Sequence, residues 1–137
     1  MKKHILQVLK EDNLGELLAD FDKNPNSVRK YITQISYHEK PYLRQQSIKA
    51  FGFLAEKRGK EMEEFFLETI RRHLWGMNDE SGNMDWSAPE IIAAIIVAQP
   101  KLFSHFASIM IEAALNEPIF EESLTQAVKI LQAKDEK

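Results

Sequence analysis

The stretch Leu74 to Ala98, LWGMNDESGNMDWSAPEIIAAIIVA, decides how this chain folds. It reads as the end of one helix, a polar loop, and then a helix with almost no polar face. From Ala88 to Ala98 the only charge is Glu90. Surface helices carry a polar stripe, so a helix that is apolar all round is a buried one. Its 11 residues are too few to cross a bilayer, which takes about 20. The pattern predicts a central helix with others stacked around it. Ser87 is placed as an N-cap, Glu90 three residues on completes the spacing of a capping box, and Pro89 costs no hydrogen bond in the first turn. Trp86 and Ile91 have the spacing of a hydrophobic staple. The loop ahead, Gly76 to Trp86, also has 11 residues. Helix connections in compact bundles run to about 2–8. Trp75 and Trp86 are expected to bury the two ends of this loop.

The rest of the chain supplies neighbours for that helix. Apolar residues recur at helical spacing almost throughout, and no run alternates as a strand does. A first helix is expected over about 3–11. Asn13 caps a second, which turns Leu14, Leu17, Leu18 and Phe21 to one side. Asn24-Pro25 starts a third that reaches about Tyr37. The fourth runs from Pro41 to about Arg58, with Gly59 placed to end it. The fifth, about 61–75, turns Met62, Phe65, Phe66, Ile70 and Leu74 inward and sets Glu68 and Arg72 as an i,i+4 pair on its outer face. The sixth is Ala88 to Ala98. A seventh covers about 101–115, an eighth begins near Pro118, and 132–137 is a frayed tail. With 137 residues, the chain is expected to form a single domain over 1–137.

Composition narrows the function classes. The chain has no cysteine, which excludes disulfides and thiolate chemistry. No signal peptide or membrane span is visible, so a cytoplasmic protein with no membrane partner is expected. Residues 1–60 hold 12 Lys/Arg against 7 Asp/Glu, residues 61–137 hold 6 against 14, and the net charge is −3. A nucleic-acid binder shows a strongly basic surface, so no nucleic-acid partner is expected.

Internal periodicity points to repeats. The segment Pro41-x-Leu43-Arg44-x-x-Ser47-x-x-Ala50-Phe51-Gly52-x-Leu54-Ala55 resembles the second helix of a HEAT repeat. Moving on by 41 residues sets Ala88, Pro89, Ile92 and Ala93 at the places of Ser47, Ile48, Phe51 and Gly52. A move of 76 sets Ser123, Leu124 and Ile130 at the places of Ser47, Ile48 and Leu54. Arg44 has no counterpart at Asp85 or Phe120, and Gly52 gives way to Ala93 and Val128. The run Asn78-Asp79-Glu80-Ser81-Gly82, then Trp86, then Ala88-Pro89-Glu90, is similar to a stretch in a small family of bacterial and archaeal HEAT-repeat proteins. Where that family leads one to expect Gly-Glu, this chain has Ala93-Ala94. The resemblance implies an all-α fold of the armadillo type: a short right-handed α-α superhelix, or solenoid, of about four helical hairpins and eight helices. It implies no reaction.

Two sets of residues could carry function. Asp79, Glu80, Asp85 and Glu90 are four carboxylates close in sequence, with oxygens from Asn78, Ser81 and Ser87 beside them. Such groups suit a hard divalent cation, but the spacing is not that of an EF-hand. Capping and turn formation account for the same residues. The four histidines form no HExxH or i,i+4 ligand pair, and no GxSxG or Gly-rich phosphate loop is present. Lys57-Arg58 with Lys60, and Arg71-Arg72, are basic clusters read as solvated helix ends. The second set comes from the stacking itself. Second helices of such hairpins line the concave side, which would expose Gln45, Gln46 and Lys49 with Glu121, Glu122 and Gln126. The expected protein is a non-catalytic scaffold for a protein partner, without cofactor or resident metal. It would bind through the concave face and the 76–86 loop, Trp86 included. The alternative is a small-ligand or divalent-metal protein, conceivably a hydrolase, built on the Asp79, Glu80, Asp85 and Glu90 carboxylates. The wide apolar arc of the seventh helix leaves room for a homodimer.

Overall fold

Caps and prolines set the helix starts. Asn13 Oδ1 accepts the Glu16 amide at 3.2 Å and Asn24 Oδ1 accepts the Ser27 amide at 3.3 Å, each satisfying one of the orphan donors of a helix N-terminus. The computed structural model describes residues 1–78 and 86–135. Its first six helices are α1 (Lys2–Lys10), α2 (Leu14–Lys23), α3 (Pro25–Ile35), α4 (Pro41–Arg58), α5 (Glu63–Gly76) and α6 (Ala88–Ala98). Prolines open α3 and α4 and stand in the first turn of α6, where the missing N–H is no loss. Among the described residues there is no strand, and the protein is all-helical.

The C-terminal third departs in detail from the periodicity. The expected seventh helix is two: α7 (Pro100–Phe103) and α8 (Phe106–Leu115). The break at Ser104-His105 lets both Phe103 and Phe106 enter the core, and the His105 ring lies 4.2 Å from that of Phe106. A 3-10 turn over Pro118–Phe120 then leads into α9 (Glu121–Asp135), which is helical past residue 132.

At the centre is α6. Nine consecutive residues, Ala88 to Ile96, are buried. It packs most extensively against α9 and α4, then against α5, α8 and α7. Burying an isoleucine side chain stabilises a fold by about 1.5–3 kcal/mol, and α6 buries four: Ile91, Ile92, Ile95 and Ile96.

The local devices around α6 differ from those its sequence spells. Ser87 makes no capping bond. Its backbone (φ −94°, ψ 1°) lies outside the extended region that a capping residue adopts, and its hydroxyl instead donates to the Ser36 carbonyl at 3.4 Å. No staple forms either, because Trp86 is 59% exposed while Ile91 is enclosed by the core. Trp75 is 81% exposed, so neither tryptophan buries an end of the loop; Met77 is the residue sunk into the core. Gly59 ends α4 without the left-handed backbone of a glycine cap, at φ −60°. What it supplies is space: a Cβ there would stand 2.6 Å from Gln99 Cγ. The Gln99 amide occupies that space and donates to the Ala55 and Glu56 carbonyls at 3.1 and 3.2 Å; Ala55 O also accepts the Gly59 amide at 2.8 Å, so Gln99 reinforces the last turn of α4.

Candidate functional site

Where α4, α6 and α9 run beside one another they leave an open groove of about 660 Å³. Small residues make it. Gly52 on α4 faces Ala94 on α6 so closely that a Cβ on Gly52 would lie 3.4 Å from the Ala94 Cβ. With Ala98 alongside, the floor stays low while Ile48, Phe53, Val97 and Ile130 form the walls. Of these, Phe53, Val97 and Ile130 are only partly covered. Polar atoms are few and come from α4: Gln45, Lys49 and Glu56 line the groove.

One end of the groove continues into a polar cluster. Gln45 Nε2 donates to Glu90 Oε2 at 3.4 Å, and Glu90 is 8% exposed. Burial is the main reason its carboxyl holds a proton more firmly than usual. Ser123 and Gln45 act in the opposite direction, Glu122 adds to the rise through its negative charge, and Arg44 opposes it. The Ser123 hydroxyl is itself buried and stands near Glu90 without meeting hydrogen-bond geometry with any partner.

The expected concave-face residues separate into two groups. Gln45 and Lys49 line the groove. Gln46 does not. Its amide donates to the Leu9 carbonyl at 2.8 Å and to Asp12 Oδ1 at 3.2 Å, closing the end of α1. Lys49 also reaches Asp12, with Nζ 2.9 Å from Oδ2. Asp12 has the left-handed φ of 56° that turns α1 into α2, so these α4 side chains pin that turn from outside. Lys49 and Gln46 between them hold the Asp12 carboxyl below the usual range. Glu121, Glu122 and Gln126 are exposed on α9. At the loop, Asn78 donates to the Leu74 carbonyl at 3.2 Å and extends the end of α5, and Trp86 is exposed. Asp79, Glu80, Ser81 and Asp85 lie outside the described residues.

Periodicity places Phe51 and Leu54 inward and leaves Phe53 off that stripe, which is the trace the groove leaves in the sequence. A second cluster leaves less trace. His4 Nε2 lies 2.8 Å from Asp20 Oδ2 and 3.3 Å from Glu16 Oε1. Among the described residues these three are the set whose ligand atoms converge closely enough for a metal ion. Glu16 and Asp20 are one turn apart on α2, but their histidine comes from α1, so no local motif announces it. The His4–Asp20 hydrogen bond also ties the two helices together at the surface. On α8, Ile109 and Leu115 are exposed. No helix among the described residues is long and apolar enough to cross a membrane. Compared with known proteins, the chain matches no family model, no curated protein and no solved structure.

Proposed function

We propose that this chain is a short HEAT-like stack whose inner row, α4, α6 and α9, binds an amphipathic helix of a partner protein, without catalysis. The observation that carries the reading is the groove itself: an open, apolar channel of about 660 Å³ that keeps a phenylalanine, a valine and an isoleucine only partly covered. Three further features support it. The positions that the repeat alignment equates, Ser47, Ala88 and Ser123, are all buried. They fall one on each of the three helices of the row. Those helices pack in sequence, α4 on α6 and α6 on α9, as second helices do in a solenoid whose repeats each touch only their neighbours. A partner helix would set residues i, i+3, i+4 and i+7 into the channel and meet Lys49 and Glu56 with its polar flanks.

The cation reading has less support from Glu90. Hard cations take ionised carboxylates, whereas burial favours the protonated form here.

The experiment is site-specific photo-crosslinking in the native host from a benzophenone side chain at position 53, with position 101, exposed on α7 and not part of the groove lining, as the control. A protein captured from 53 and not from 101 is then purified and titrated against wild type and Val97→Glu. The proposal expects binding at least about tenfold weaker in the variant, since a charge would enter an apolar channel. Equal capture from both positions, or equal affinity for both proteins, would refute it.

A further inference from the structure

We infer that the cleft between α3 and α5, on a different part of the molecule from the groove, binds a small phosphate monoester through Arg29, Lys30 and Arg72. The cleft has a volume of about 330 Å³, at the lower end of the ~300–1,000 Å³ typical of small-molecule sites. Its base is Arg29, which is only 5% exposed. Buried cations in proteins are ordinarily matched by an acid. Among the described residues Arg29 has none. Its Nη1 donates to Thr69 Oγ1 at 3.2 Å and to the Phe65 carbonyl at 3.4 Å, and its Nη2 to Asn26 Oδ1 at 3.0 Å. These are neutral acceptors, and they engage three of the five N–H donors a guanidinium offers. One face of the group is covered by the Phe65 ring, 4.0 Å away. The guanidinium is thus fixed in plane and position with part of its fork unspent, the condition for two-point recognition of an oxyanion.

The surroundings reinforce the charge. Lys30 and Arg72 line the same cleft and are exposed. Desolvation and the positive charge of Arg72 both lower the Arg29 pKa, but a guanidinium remains charged at any working pH. Among the described residues the acid that opposes them is Glu68, paired with Arg72 at 2.9 Å. Among the described residues, three cations against one exposed acid leave an excess of two positive charges. A phosphate monoester carries about two negative charges near neutral pH and offers three acceptor oxygens, and a single carboxylate does not match that count. Thr33 lines the wall beside the cations and offers a hydroxyl to the organic part of the ligand.

The test is calorimetric titration of the purified chain with glycerol 3-phosphate, inorganic phosphate and succinate at fixed ionic strength. Saturable binding of glycerol 3-phosphate is expected, tighter than that of either other anion. It should weaken roughly tenfold or more in Lys30→Gln/Arg72→Gln, whose sites are exposed, and in Arg29→Lys, which keeps the charge but loses the fork. If Arg29→Lys fails to fold, the exposed double variant decides alone. Absence of binding, or binding unchanged in the double variant, would overturn the site. Succinate binding as tightly as the ester would overturn the phosphoryl assignment, and inorganic phosphate binding as tightly would overturn the organic ligand.

Discussion

Asn24 and Ser87 stand ahead of helices that carry a proline in the first turn, yet only Asn24 caps its helix. With φ −152° and ψ 76°, Asn24 lets its side chain reach the Ser27 amide; Ser87 stands at φ −94° and ψ 1°, and its hydroxyl turns toward Ser36. Asn24→Ala is expected to cost about 1 kcal/mol, within the usual range for a lost cap. Ser87→Ala removes one long hydrogen bond and should cost less than about 1 kcal/mol. Urea unfolding of the two variants checks the order; a larger loss at Ser87 would mean that the capping box forms in solution. The capping box was legible as a pattern, but patterns do not carry ψ. The position of the Ser36 carbonyl, 51 residues away in sequence, settled which bond the hydroxyl makes.

At the scale of elements, α6 ties α4 to α9, and Glu90 is a buried acid set into that seam. A carboxyl whose pKa is raised by folding binds its proton more tightly in the native state than in the unfolded chain. Stability from this group is therefore fully present below the unfolded value, near 4.5, and is lost as pH rises through the native value. Glu90→Gln keeps an acceptor for Gln45 and removes the ionisation. Relative to wild type it should be stabilising at pH 8 and close to neutral at pH 4, as read by urea unfolding at both. An equal effect at the two pH values would show that Glu90 is solvated as an ordinary surface acid. The limits of α4 and α6 were legible to the residue, because proline, the change in polarity and the end of the apolar run coincide there. The break between α7 and α8 was not. Residues 101–115 keep helical spacing throughout, and the interruption answers to where Phe103 and Phe106 meet the core, a tertiary demand. Gln46 and Lys49 show the same limit. Their face of α4 points to the groove, but the Asp12 turn competes for both and takes Gln46 outright. Arg29 was invisible as a site residue, since its partners lie on α5 and the cleft exists only once α3 and α5 are side by side.

For the whole molecule, burial of α6 is the condition on which both surfaces depend. It brings α4 and α9 close enough to shape the groove, and its contacts with α5 place that helix beside α3. Amides that open only on global unfolding mark the cooperative centre of a protein, whereas terminal helices with one packed side fray earlier. Native-state hydrogen exchange measured along the chain is therefore the most direct test. The amides of Ile91 to Ile96 should exchange most slowly, with an opening free energy equal to that of global unfolding by urea, and those of α1 should open well before them. Exchange over Ile91 to Ile96 as fast as over α1 would contradict a buried central helix and remove the basis for the groove.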